Sequence, residues 1–175
     1  MNRMTHGTAT LTGLSAFLLL CGPALVAQSA GADHKFVNEA AQGGLAEVEL
    51  GTLATKKAES PDVKSFGQKM VDDHSKANQE LKELASHKGI TLPTSIDSKA
   101  QSMKDKLNGM SGATFDRYYM QQMVNDHQED VAEFRKEANS GMDSDAKAFA
   151  SKTLPTLEEH LKLAQSGYQE VKSGK

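Results

Sequence analysis

The chain has 175 residues, and its 20 Lys and Arg against 23 Asp and Glu give a formal net charge of −3. A protein of this charge has no basic excess with which to bind nucleic acid or an anionic membrane surface. Its single cysteine, Cys21, excludes an internal disulfide, so stability must come from packing in one ordinary domain. We therefore expect neither nucleic acid nor an anionic membrane as a partner.

The N-terminal segment has the pattern of a bacterial export signal. Residues 11–27 are almost wholly apolar, and Ala30-Gly31-Ala32 forms a small-x-small cleavage site before the polar Asp33. We predict that residues 1–32 are removed as a signal peptide. Residues 33–175 then form a single domain that is exported to the periplasm or the cell envelope.

Two other fates of the N-terminal segment stay open as alternatives. A lipoprotein anchored through Cys21 is disfavoured because Leu20 stands where a small residue normally precedes a lipidated cysteine. An uncleaved anchor is disfavoured because a lasting span needs about 20 apolar residues, and Gly22 and Pro23 interrupt this run. After cleavage we expect no stable membrane insertion, while a homo-oligomer or a protein partner in the envelope stays open.

From Asp33 onward the composition is helical, rich in Ala, Leu, Lys, Glu, Gln and Met, with no alternating strand pattern. The predicted helices cover residues 34–58, 61–88, 113–140 and 144–171, with a short amphipathic stretch at 97–107. Short turns at Ser60 and Gly141 predict two antiparallel hairpins, joined by the longer connection that carries the short helix. This is the pattern of an all-α four-helix bundle.

Three of these helices each carry one histidine on an apolar seam that steps by three and four residues. His74, His127 and His160 all lie near the middle of their helices, so packing brings them to a similar depth. At that depth the first helix carries Glu47 and Glu49, the only carboxylates in a stretch of small and apolar residues. The sequence therefore predicts a buried site of His74, His127, His160 and Glu47, with Glu49 nearby.

Each of these histidines directly follows a carboxylate. Asp73, Asp126 and Glu159 are rotated by about 100° around their helices, which favours bonding to an imidazole of a neighbouring helix. Such carboxylates commonly fix the tautomer of a metal-binding histidine. The same contacts also fit a metal-free polar network that aligns the helices. The residues alone leave these two hypotheses equally open.

Three imidazoles with one carboxylate form a nitrogen-rich set that suits a single zinc, copper, nickel or iron ion. We find no catalytic serine order, phosphate-binding loop or nucleophilic cysteine, so no catalytic residue is predicted. The favoured hypothesis is a protein that binds or buffers a transition metal, or senses envelope stress through that site. A metal-free structural or interaction protein of the envelope is the alternative, and a redox enzyme is the third.

Four stretches of the chain resemble one known family. They are Gly44-Leu45-Ala46-Glu47-Val48-Glu49-Leu50-Gly51, Met70-Val71-Asp72-Asp73-His74, Phe115-Asp116-Arg117-Tyr118-Tyr119 with Asp126-His127, and Leu154-Pro155 through His160-Leu161. They are similar to the exported, ferritin-like family catalogued as domain of unknown function 4142 and often labelled predicted outer membrane protein. The resemblance covers about residues 36–168. It implies a ferritin-like bundle in the bacterial periplasm or envelope, and it implies no established reaction.

The resemblance does not carry over the di-iron chemistry of other ferritin-like proteins. Those proteins use a Glu-x-x-His motif on each of two helices. In this chain Val71, Val124 and Leu157 stand three residues before the histidines. The resemblance therefore does not imply ferroxidase or oxygenase activity.

Overall fold

The computed structural model describes residues 23–174, and this part of the chain contains helices and no strand. The helices are α1 (Pro23–Lys57), α2 (Pro61–Lys88), α3 (Ser98–Asn108), α4 (Gly112–Ser140) and α5 (Ser144–Ser173). The predicted all-α class is thus confirmed. Within the described residues, no helix combines the length and the hydropathy that crossing a membrane requires.

The start of α1 differs from the sequence prediction. The helix begins at Pro23 rather than near residue 34, because residues 24–32 are rich in alanine, which favours helix, and a proline suits the first helical position. Most of the predicted signal peptide, including Cys21, lies outside the described residues. Cleavage after Ala32 stays a prediction.

The other long helices end at the predicted signals. The Ser60 hydroxyl caps α2 by accepting hydrogen bonds from two free backbone amides at 3.2 and 3.5 Å. Gly89 ends α2 with a φ of 66°, a conformation that residues with a Cβ rarely adopt. Asp143 caps α5 in the same manner as Ser60, with two bonds of 3.0 Å. Local chemistry therefore sets where these helices begin and end.

The long helices form two antiparallel hairpins, α1 with α2 and α4 with α5. The hairpins meet where α2 packs on α5 and α1 packs on α4, while α3 lies against α1 and α4. Two buried carboxylates support the turns. Asp116 of α4 accepts the backbone amides of Glu59 and Ser60 at 3.0 and 2.8 Å. Asp33 of α1 accepts the amides of Met142 and Asp143 at 3.3 and 2.8 Å.

Two apolar clusters fill the core, one on each side of a polar layer. On one side lie Leu50 of α1, Met70 of α2, Met123 of α4 and Ala164 of α5 with their neighbours. On the other side lie Ala41, Leu81, Val131 and Leu157 from the same four helices. The polar layer between them contains Glu47, His74, His127 and His160, each 7% exposed or less. The middle of the molecule is therefore polar, and its two ends are apolar.

Helices α1 and α2 approach closely at two glycines. A Cβ on Gly67 would lie 2.8 Å from Ala54 Cβ and 2.9 Å from Gly51 O. A Cβ on Gly51 would lie 2.6 Å from Gly67 O. These distances are shorter than van der Waals contact, so only glycine permits this spacing.

We expect Gly67→Ala to lower the free energy of unfolding by about 1 to 3 kcal/mol, because the added methyl group forces α1 and α2 apart. Urea unfolding measures this change. Gly43→Ala on α1 is the control, since its Cβ would meet nothing closer than 3.9 Å and alanine favours helix by about 0.5 to 1 kcal/mol. Equal stability of the two variants would contradict the close contact.

Candidate metal centre

Histidines from three helices converge in the polar layer. One ring nitrogen from each of His74, His127 and His160 lies within 4.8 Å of the other two. The ring centroids are 5.8 Å apart for His74 and His127, 5.4 Å for His74 and His160, and 5.3 Å for His127 and His160. α2, α4 and α5 thus each supply one buried imidazole to a single group, at the common depth that the sequence predicts.

Hydrogen bonds assign the tautomers of two of these rings. His127 Nδ1 lies 2.9 Å from the Met123 carbonyl oxygen, which can only accept, so Nδ1 carries the hydrogen. His160 Nε2 lies 2.8 Å from Asp73 Oδ2, and a carboxylate also only accepts. Each neutral ring is therefore left with a lone pair on its other nitrogen, which is Nε2 of His127 and Nδ1 of His160.

Those two nitrogens, together with His74 Nε2, are buried and have no hydrogen-bond partner among residues 23–174. The three rings cannot satisfy one another. Two of the nitrogens are acceptors, and His74 Nε2 can donate only one hydrogen bond. At least one buried lone pair therefore has no partner within the group, and leaving such an atom unsatisfied costs about 1 to 3 kcal/mol. A cation shared by the three nitrogens would remove this cost.

Burial keeps the three rings neutral. It lowers the pKa of His74 to about 3, with repulsion from the neighbouring imidazoles as a smaller cause. It lowers the pKa of His127 to about 4 and also lowers the pKa of His160, although the bond to Asp73 opposes the shift in His160. Neutral imidazole is the form that binds metals. The group is thus in the metal-binding form at neutral pH.

We call the four carboxylates that the sequence predicts around the histidines the supporting acids: Asp73, Asp126, Glu159 and Glu49. The structure brings only Asp73 to an imidazole, that of His160 on another helix. Burial raises the pKa of Asp73, but the hydrogen bonds with His160 and Lys69 outweigh it, and the net pKa is below the ordinary value. Lys69 also pairs with Glu159 at 3.3 Å. Asp73, Lys69 and Glu159 thus form a charged network beside His160.

The other supporting acids point elsewhere. Glu49 pairs with Lys104 of α3 at 2.6 Å. Asp126 lies with Lys99 and Glu129, and burial raises its pKa to about 6. No hydrogen bond or ion pair joins Asp126, Glu159 or Glu49 to an imidazole in the described part of the chain. An acid directly before a histidine is rotated from it by about 100° around the helix and so lies on a flank of that helix. The helix that packs on this flank differs from one histidine to the next, so only Asp73 meets an imidazole.

Glu47 lies beside the three-histidine group rather than within it. Its Oε1 is 3.9 Å from His127 Nδ1, the nitrogen that already donates to Met123. Glu47 belongs instead to a second set with His127 and Asp130. Burial and the nearby acids raise the pKa of Glu47 well above its ordinary value. The sequence predicts Glu47 as the fourth member of the histidine group, whereas the structure places it in this second set.

Sequence reasoning missed Asp130. It follows Asp126 by four residues and His127 by three, so these positions share one side of α4. That spacing was a signal that could have identified it. Burial and repulsion from Asp126 and other acids raise the pKa of Asp130 to about 7.

A cavity of about 120 Å³ between α2 and α5 reaches two of the three imidazoles. His74 and His160 line it together with Asp73 and Glu80, and Lys152 stands at its edge beside Glu80. This volume is sufficient for a few water molecules, each occupying about 30 Å³ in the liquid. The cavity provides a route by which a small ligand can reach the histidines.

The burial of His74 predicts a specific pH dependence. Between about pH 4 and pH 6.5 the unfolded chain holds a proton on this ring and the folded protein does not, so stability from His74 increases with pH. The buried acids have the opposite effect on stability as the pH rises. We therefore subtract the unfolding free energy of His74→Leu from that of the wild type at each pH. We expect this difference in unfolding free energy to rise by up to about 1.4 kcal/mol per pH unit.

Urea unfolding of metal-free protein at a series of pH values measures the difference. Met70→Leu on the same helix is the control, because it changes packing in the core without removing a titrating group. A difference for His74→Leu that is constant or falls across this range would contradict a buried, neutral ring.

Comparison with known proteins identifies a family and no characterised relative. No curated protein and no solved structure matches the chain. Residues 22–166 match the family described as domain of unknown function (DUF4142). This match covers most of the chain and includes all three histidines. The protein therefore belongs to the DUF4142 family.

Proposed function

We propose that this chain is an exported protein with a ferritin-like four-helix-bundle arrangement that binds one transition metal ion through His74, His127 and His160. The observation that carries the proposal is the set of three buried nitrogens without partners. Two of them carry lone pairs, because the other nitrogen of the same ring carries the hydrogen and donates it to a hydrogen bond. These hydrogen bonds leave the lone pairs of His127 and His160 on the nitrogens that face the histidine group, which is the tautomer choice that a shared metal ion requires.

The donor set favours zinc, copper, nickel or iron(II), which imidazole nitrogens suit. Three protein ligands leave a further position for water or another small ligand. The cavity between α2 and α5 supports this, because His74 and His160 line it. Glu47 is not required as a ligand, since it lies on the Nδ1 side of His127.

The role we propose is binding or buffering of the metal, with envelope stress as the setting. The three ligands come from α2, α4 and α5, so a bound ion would join both hairpins at mid-depth. Binding and stability are then linked, because any ligand that binds only the folded state stabilises it. A change in metal supply would thus change the stability of the packing between the two hairpins.

A metal-free structural or interaction protein of the envelope is the second candidate. The bond between His160 and Asp73, with Lys69 at 3.1 Å from Asp73, favours it because this network already joins α5 to α2 without an ion. In that case the histidines align the helices. Adding metal would then leave stability unchanged.

Thermal melts of metal-free protein with zinc, copper, nickel and iron(II) in turn separate these candidates. For the metal that binds, we expect wild-type stability to rise by about 2.7 kcal/mol at a hundredfold excess over Kd. Each of His74→Leu, His127→Leu and His160→Leu should lose this increase, because each removes one nitrogen ligand. Leucine fits these positions, which lie on apolar seams.

His87→Leu is the matched control, since His87 is exposed near the end of the same helix as His74. It should retain the full response to metal. A wild-type melting temperature that none of the four metals changes would refute the metal proposal and leave the structural candidate. If one of the metals does stabilise the wild type, elemental analysis of untagged protein from its native compartment would identify the ion that is bound there.

A further inference from the structure

A second cavity, of about 130 Å³, lies between α1, α3 and α4. Its lining includes Glu47 of α1 and Asp126 and Asp130 of α4. It is on the other side of His127 from the three-histidine group, because Glu47 approaches Nδ1 of that ring and the lone pair of the ring is on Nε2. The proposed function does not use this cavity.

Glu47 is the observation that indicates a ligand there. Its side chain is only 4% exposed, and its Oε2 is buried without a hydrogen-bond partner in the part of the chain that the structure describes. The nearest imidazole cannot serve as that partner, because His127 Nδ1 donates its hydrogen to the Met123 carbonyl. A buried carboxyl oxygen without a donor costs free energy.

The surrounding charges increase the need for a cation. One ligand atom each from Glu47, Asp130 and His127 lies within 4.8 Å of the others, and Asp126 repels both carboxyls. The one basic group in the lining, Lys99, pairs with Glu129 at 3.5 Å. Asp97 adds a further acid from the start of α3. The carboxyls in this cavity thus exceed the positive charge that faces them.

We propose that Glu47, Asp126 and Asp130 bind a hard divalent cation, of the class of Mg²⁺, Mn²⁺ and Ca²⁺, at a second site distinct from the three histidines. Carboxylate oxygens are the preferred ligands of these ions. The cavity is large enough for the ion to keep several water molecules, as Mg²⁺ and Mn²⁺ commonly do. The site joins α1 to α4, across the interface that the histidine ligands do not bridge.

The test uses Mn²⁺ as the probe, because electron paramagnetic resonance counts free Mn²⁺ directly. Metal-free wild-type protein at pH 7.5 should bind one equivalent. The double variant Glu47→Gln/Asp130→Asn should weaken this binding at least tenfold, since both charged ligands become neutral amides of the same size. Its thermal melt without added metal should show one cooperative transition, which shows that it is folded.

Two control variants separate this site from the first. His74→Leu should retain Mn²⁺ binding, because His74 is not part of the carboxylate set. Glu39→Gln, an exposed acid two turns earlier on α1, should also retain it. The proposal is overturned if wild type binds no Mn²⁺ at millimolar concentration, if the double variant binds it as well as wild type, or if His74→Leu abolishes it. The last outcome would place Mn²⁺ on the histidines.

Discussion

The hydrogen bond from His127 Nδ1 to the Met123 carbonyl oxygen controls the chemistry at the centre of this molecule. It leaves the lone pair of the ring on Nε2, among the histidines, and its N–H bonds to Met123 rather than to Glu47. A single backbone contact one helical turn away thus separates a nitrogen-rich group from an oxygen-rich one. Zinc, copper, nickel and iron suit the first donor set, and hard cations such as Mg²⁺, Mn²⁺ and Ca²⁺ suit the second. The ring that belongs to both sets is the least exposed of the three, at 0%.

The helix packing makes this arrangement possible. The glycine contact between Gly51 and Gly67 brings α1 and α2 together, and the buried Asp116 and Asp33 each connect a turn to a helix of the other hairpin. These contacts lie in or beside the apolar ends of the core rather than in its middle. The apolar ends can therefore carry the stability while the polar layer contains groups whose burial is unfavourable.

The polar layer is unfavourable in two opposite ways. Its imidazoles resist protonation, and its acids resist ionisation, because burial penalises whichever form is charged. Without cations the layer contains unsatisfied lone pairs on one side and crowded carboxyls on the other. Both problems have the same physical solution, a positive charge supplied from outside the chain. The cations that we propose would supply that charge at both places.

The sequence by itself determined the helices, their ends apart from the start of α1, and the depth at which the three histidines lie. Caps such as Ser60 and Gly89 are local, and an apolar seam identifies the inward face of each helix without knowledge of its neighbours. It could not determine which neighbour each flank meets. Asp73 reaches His160, whereas Asp126 faces the α3 side and Glu49 pairs with Lys104. The order of the helices around the core decided this, and only the tertiary structure contains that order, because it depends on contacts between residues far apart in the chain.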